Sequence, residues 1–214
     1  QMAYPTVSKP YGLKPINLIG GQVFAGATRQ RRIASGASSI GYGDPLKFVN
    51  DGTVAVTTET TLAPTTGFAG VFLGCTYVSS VTGQPTYSHA WISGTSVKSG
   101  TYIVAYVVED PDTMFQLAGV TASLVVSTST GFQYTDIGLN VALVANTLNT
   151  TTNDSQQGVL VTSASTTASL PMRIVDVVPD TSFDVSGTVY YPEVIVKFNA
   201  PYVDSGVITG GHAY

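Results

Sequence analysis

Residues 67–95 read GFAGVFLGCTYVSSVTGQPTYSHAWISGT, and this stretch decides the fold class. Val71, Leu73, Cys75 and Tyr77 fall on one side of a strand, at its two-residue period. The polar run Ser79, Ser80, Thr82, Gly83, Gln84 and Pro85 then supplies turn chemistry, and Tyr87, His89 and Trp91 alternate along a return strand. The segment predicts an antiparallel hairpin and concentrates no catalytic residue type.

The same pattern recurs on both sides. Leu46 and Phe48 are separated from Val54 and Val56 by Asn50-Asp51-Gly52, and Asp-Gly between alternating apolar residues is a strong hairpin signal. Residues 102–108 form an apolar run that fits a buried strand, closed by Glu109-Asp110-Pro111-Asp112, with Met114, Phe115 and Leu117 continuing into a partner strand. Residues 122–127, 141–144, 158–162, 173–178 and 189–198 repeat the theme of short β-branched runs. Short strands at this spacing, without helical periods between them, predict an all-β chain: an antiparallel barrel or sandwich, as one fold or two small β domains. The expected organisation is an extended N-terminal arm over 1–40, a β domain with the central hairpin over 41–135, a second β domain or second half over 136–200, and a C-terminal arm over 201–214. The polar stretch 146–157 is expected to be a mobile, exposed tip.

The chain has 214 residues, of which only 10% are charged, against about 25% in an average soluble protein. So little charge gives weak protection against self-association, and part of the surface is expected to contact other subunits. The net charge of −4 disfavours nucleic-acid binding, which needs clustered Lys and Arg. Arg29, Arg31 and Arg32 are the exception; they read as a docking cluster for an acidic groove on a protein partner, against a solvated turn as the plainer alternative. No apolar run reaches the length of a membrane span, and no charged leader followed by an apolar core opens the sequence, so a membrane or secreted location is not expected. The single cysteine, Cys75, cannot form an intrachain disulfide and reads as a small buried hydrophobe.

Enzymatic chemistry finds little foothold: Asp and Glu distant in the chain can meet as the paired carboxylates of a glycoside hydrolase, but nothing in the sequence selects a pair. The two histidines, His89 and His212, lie far apart, and no Gly-x-Ser-x-Gly elbow accompanies them. One cysteine and two distant histidines cannot assemble a usual zinc site. Glu109, Asp110 and Asp112 lack the ligand spacing of a calcium loop and read first as a turn. Gly41-Tyr42-Gly43-Asp44 is followed by Pro45 and a strand rather than by a helix N-terminus, so the phosphate-cradling mechanism is missing. No cofactor and no metal are expected.

Beyond the hairpin, the wording of several motifs is shared in order: Tyr11-Gly12-Leu13-Lys14-Pro15, Thr28-Arg29-Gln30-Arg31-Arg32, Gly41-Tyr42-Gly43-Asp44-Pro45, Ala105-Tyr106-Val107-Val108-Glu109-Asp110-Pro111, Phe115-Gln116, Leu170-Pro171-Met172-Arg173-Ile174-Val175 and Val196-Lys197-Phe198-Asn199-Ala200-Pro201-Tyr202. Together they span nearly the whole chain, which resembles virion structural proteins of tailed bacteriophages that decorate or cement the head. The resemblance implies a non-enzymatic capsid decoration protein on the outer surface of the capsid, bound between major capsid protein subunits, stabilising the head and forming a homotrimer. The shell itself would need a long amphipathic spine helix, and no window here has that period. Aromatic and arginine residues are the usual interface anchors, so Tyr11, Leu13, Phe24, Arg29, Arg31 and Arg32 are the expected capsid-docking residues. Deleting residues 1–32 is expected to leave a folded protein that no longer binds heads. The competing readings are a host-adhesion or carbohydrate-binding module, with Tyr42, Trp91, Tyr190 and Tyr191 stacking on sugars, and a structural protein of the tail.

Overall fold

The computed structural model describes residues 7–34, 36–57 and 68–199. Fifteen strands follow in order: β1 Lys14–Leu18, β2 Arg29–Arg32, β3 Pro45–Phe48, β4 Val54–Val56, β5 Phe68–Val78, β6 Pro85–Ser88, β7 Val104–Val108, β8 Thr113–Val120, β9 Asn140–Val141, β10 Leu143–Val144, β11 Gly158–Leu160, β12 Met172–Val177, β13 Phe183–Val185, β14 Thr188–Tyr190 and β15 Glu193–Phe198. The only helical pieces among the described residues are two single 3-10 turns, Tyr134–Asp136 and Pro179–Thr181. The chain is all-β, and none of its described helices is long and apolar enough to cross a membrane.

Two sheets carry the fold. The first is antiparallel, with order β2-β7-β5-β3-β4 and β6 pairing the far half of β5. Its edge strands approach each other where Ile33 bridges Val54. The second runs β10-β11-β8-β15-β12-β9, with β1 also on β8. It is mixed, because β11 runs parallel to β8. Its terminal strands β9 and β10 are separated only by Ala142, so both ends of the sheet belong to one stretch and the sheet nearly closes into a barrel. Closure leaves little free edge, which matters in a chain with few charges to protect one.

The central hairpin forms as its turn chemistry predicts: Cys75 opposes Ser88 and Val78 opposes Pro85, closed by the Ser79 N–H on the Gln84 carbonyl at 3.0 Å. The single-sided alternation does not persist, however. Register shifts opposite Leu46/Lys47 and at Phe72/Gly74 make Ala69 and Leu73 extra residues on β5. Each bulge advances the pleat by one residue and exchanges its faces. Phe68, Val71 and Leu73 therefore reach one core, while Ala69, Phe72, Cys75 and Tyr77 reach the other. Gly70 has φ +122, and a Cβ there would lie 2.1 Å from the Val108 carbonyl oxygen. The 11-residue strand thus builds both cores.

The first core gathers Phe115, Leu117, Val159, Met172, Ile174, Val194, Val196 and Phe198 from the second sheet together with Phe68, Val71 and Val108 from the first. Phe198 packs on Phe68 with ring centroids 4.6 Å apart. The second core lies within residues 33–107 and includes Trp91, 5% exposed, and Cys75.

Several expectations are corrected. From residue 7 onward the segment expected to be an arm is part of the fold: β1 pairs β8, β2 pairs β7, and Leu13 is fully buried in the first core. Deleting 1–32 would strip a strand from each sheet, so loss of head binding by that variant would not isolate docking. Residues 1–6 and the C-terminal arm, 201–214, lie outside the described residues. Strand β8 does not pair with β7, whose two neighbours β2 and β5 already occupy both its edges. The turn at 109–112 is thus a crossing from the first sheet to the second. Residues 122–127 are mostly turn, with a single bridge from Val126 to Val120. The 146–157 stretch is a strap rather than an exposed tip: Tyr42 bridges Asp154, and Ser155 and Gln157 are each 1% exposed.

Candidate functional site

The arginine cluster is placed by β2, whose Arg29, Gln30, Arg31 and Arg32 oppose Val107, Tyr106, Ala105 and Val104. That register brings two guanidinium groups to Glu109, just past β7, whose side chain is 6% exposed. Arg31 donates to both of its oxygens: Nε to Oε1, and Nη2 to Oε2 at 2.8 Å. Arg29, largely exposed, lies 3.3 Å from Oε2. Arg32 stacks over the Tyr102 ring, 3.7 Å from its centroid. A bidentate arginine on a shielded carboxylate is a strong pair, so Arg31 chiefly secures β2 to the sheet, while Arg29, Arg32 and the exposed Tyr102 face outward.

The remaining expected docking residues diverge. Leu13 is in the core, and Phe24 packs against it. Tyr11 lies elsewhere, in an open cleft of about 370 Å³ together with Lys14, Tyr42, Gln116, Asp154 and Glu193. Of the six expected docking residues, the structure gathers the three arginines at the surface and places Leu13 and Phe24 on the first core.

The cleft is assembled at the junction of the two sheets. Lys14 and Gln116 are paired residues of β1 and β8, and Glu193 opens β15 opposite Ala118. The turn at 41–44 supplies Tyr42, and the strap supplies Asp154. Glu193 is 5% exposed. Its Oε1 accepts from the Tyr11 hydroxyl at 2.5 Å and from Gln116 Nε2 at 3.1 Å. Burial, reinforced by the adjacent Glu193 carboxylate, holds the Tyr11 phenol far above its ordinary pKa, so it stays a donor. The Tyr42 phenol is also raised, by burial first and then by Tyr87 and Asp154 nearby.

Beneath the cleft a polar knot joins the sheets. Asp44 accepts from the Gly41 N–H at 2.7 Å and from Gln157 Nε2 at 3.3 Å. Gly12 N–H donates to the Gln157 carbonyl at 3.1 Å, and Leu13 N–H to that of Gly43 at 2.9 Å. Burial lifts the Asp44 carboxyl above its ordinary value, opposed by hydrogen bonds from Ser155, Gly41 and Gln157. The Gly41-Tyr42-Gly43-Asp44 motif is therefore a turn that ties the strap to both sheets.

Other singled-out residues have structural surroundings. Trp91 is buried and donates from Nε1 to the Ala37 carbonyl at 3.4 Å, so it offers no face for stacking on sugars. Tyr191 packs against Tyr134, and Tyr190 against Phe183. His89 Nε2 lies 2.9 Å from the Thr152 carbonyl of the strap. Cys75 is buried, and burial pushes its thiol up to about 11. Asp110 caps its own turn through the Asp112 N–H at 2.9 Å. Among the described residues no group of three or more His, Cys, Asp or Glu is placed to hold a metal ion.

Sequence reasoning missed Lys14, Gln116, Asp154 and Glu193 as a group, because they come from four separate stretches. The one local signal was Glu193, a lone carboxylate heading the apolar run of β15. Compared with protein-family models, with curated proteins and with solved structures, the chain matches none.

Proposed function

We propose that this chain is a capsid decoration (cement) protein of a tailed-phage virion, bound as a trimer to the outer surface of the head between major capsid protein subunits, and that it has no catalytic role. The observation that carries the reading is where four of the exposed apolar side chains, all valines, sit. Val23, Val81, Val125 and Val189 are 76%, 85%, 57% and 45% exposed, and each lies in or beside a hairpin turn. Val23 bridges Asn17 across a turn, Val81 crowns the central hairpin, Val125 closes the turn begun at Thr121, and Val189 pairs Asp184, one position behind the pair that closes the Ser186-Gly187 turn. Turn tips ordinarily carry Gly, Asn, Asp and Ser. Valines at successive tips of a charge-poor β scaffold suit insertion between neighbouring protein subunits, where several weak contacts from one oligomer combine. The motif resemblance points to the head as the place of that contact.

The test mixes purified protein with heads that lack it, locates it by cryo-electron microscopy and compares head survival on heating. Ordered density at local threefold positions with improved survival is expected, and Val23→Asp with Val81→Asp should weaken it while leaving the fold intact. Density on the tail, or none, refutes the head assignment. A monomer by light scattering at micromolar concentration refutes the trimer.

A further inference from the structure

The cleft at the sheet junction combines features that protein–protein packing does not require. Glu193 is almost wholly buried, yet both of its donors converge on Oε1. Among the described residues neither of these two donors reaches Oε2. A nearly buried carboxylate thus keeps one oxygen clear of both donors where it lines the cleft. Such an oxygen favours a ligand that brings hydroxyl or amide donors to it. Around it stand a second carboxylate, Asp154; two donors, Lys14 and Gln116; and two tyrosines, Tyr11 and Tyr42. One cation against two carboxylates leaves a single negative charge, which opposes anionic ligands and supplies acceptors for neutral ones. Aromatic rings interleaved with short-range acceptors and donors match a ring that is apolar on its faces and rich in hydroxyls at its rim.

We propose that this cleft is a binding site for a neutral oligosaccharide, with Glu193 and Asp154 accepting from sugar hydroxyls, Lys14 and Gln116 donating to sugar oxygens, and Tyr42 forming the aromatic wall. The site does not depend on the decoration role, since none of its residues is a tip valine. Tyr42 and Asp154 are held to each other by backbone pairing, with the Ser155 N–H on the Tyr42 carbonyl at 3.0 Å. The wall and one acceptor are therefore fixed before a ligand arrives, which limits the entropy cost of binding.

The test takes the full chain through a glycan array, then through saturation-transfer NMR with maltohexaose, chitohexaose and, as an anionic control of equal length, hexagalacturonate. Concentrations up to about 10 mM cover the roughly millimolar affinity of an open site. Saturable binding of a neutral oligosaccharide is expected, weakened about tenfold or more by Tyr42→Ala and by Asp154→Ala, with hexagalacturonate weaker than both neutral probes. Fluorescence of the buried Trp91 reports that each variant is folded. No saturable neutral binding on array or in solution overturns the proposal, and so does binding that both folded variants retain. Head decoration measured on the same preparation can succeed while sugar binding fails, so the two readings fail separately.

Discussion

Replacing Gly70 with alanine tests how one strand builds two cores. Gly70 adopts φ +122, a conformation L side chains rarely accept, and its new Cβ would lie 2.1 Å from the Val108 carbonyl oxygen and 2.9 Å from its carbonyl carbon. Backbone strain of this kind costs on the order of 1–3 kcal/mol. The clash is with main chain, so no rotamer change relieves it. Strand β7 must retreat from β5 where Val71 opposes Val108, weakening a ladder bond of about 1 kcal/mol and overpacking a core contact by about 1–2 kcal/mol. The sum is about 3–6 kcal/mol, a large share of the roughly 5–15 kcal/mol that holds a typical domain folded. In thermal terms the midpoint should drop by about 6–24 °C at this chain length.

Gly83→Ala is the control. Gly83 also has positive φ, +71, but nothing lies within 4 Å of its Cβ; the cost there is the left-handed conformation alone, about 1–2 kcal/mol. Urea unfolding of the two variants, with comparable m-values, isolates the close approach. A Gly70→Ala loss within about 1 kcal/mol of the Gly83→Ala loss would refute the reasoning, because the β5–β7 contact would then not be the constraint that sets the bulge.

Other expectations are more local. Because burial raises the folded Asp44 pKa above 3.8, the folded state binds this proton more tightly than the unfolded chain: the contribution is most favourable below about pH 3.8, falls as pH rises through the raised folded value and stays low beyond it. The wild-type stability minus that of Asp44→Asn should therefore decline as pH rises from about 3.8 through the raised folded value; a rising difference contradicts the assignment. In a double-mutant cycle of Arg31→Met and Glu109→Gln, the shielded bidentate pair should show coupling of about 1.5 kcal/mol or more, against about 0.5 kcal/mol or less for the largely exposed Arg29 with the same partner; equal couplings would remove Arg31 from its structural role. Cys75, buried with its thiol raised to about 11, should react with a disulfide reagent at mildly alkaline pH only as fast as the chain opens, and rapid native-state labelling would contradict its burial.

The part of the fold written locally was legible. Asp51-Gly52 marks the β3–β4 hairpin, and the Asp51 carboxylate accepts from the Thr53 N–H at 2.9 Å as such turns require. The central hairpin likewise follows from its turn residues. Legibility ended where the partner is distant. Lys14 opposes Gln116 and Arg29 opposes Val107, and short, Gly- and Pro-flanked strands of this kind carry no period of their own, so they resemble an arm until their partners are known. The bulges on β5 escaped for a related reason: Gly70 looks like a weak point in a strand unless the approach of Val108 is seen. The arginines stood out by composition, but Glu109, 78 positions from Arg31, read as a turn residue, and its bidentate bond changes what Arg31 is for.

The cleft and the joint between the sheets are one construction, and this determines how a ligand would act. Tyr11, Tyr42 and Asp154, which line the cleft, each directly precede a residue of the buried knot: Gly12, Gly43 and Ser155. A Cβ on Gly12 would meet the Ser155 Cβ at 2.4 Å and the Gly43 carbonyl oxygen at 2.9 Å, so the three segments approach as closely as their backbones allow. Lys14 and Gln116 belong to the second sheet, whereas Tyr42 comes from the segment leading into β3 of the first. A ligand spanning Gln116 and Tyr42 would hold the sheets in one arrangement without contacting either core. Binding to the folded chain alone stabilises it by RT ln(1 + [L]/Kd), about 1.4 kcal/mol at tenfold saturation. That increment should fall to about 0.4 kcal/mol or less in Tyr42→Ala, where the wall is gone, binding is tenfold or more weaker and the knot remains. In Gly12→Ala it should fall together with the stability of the free protein, because the substitution forces apart the segments that position both the cleft and the joint.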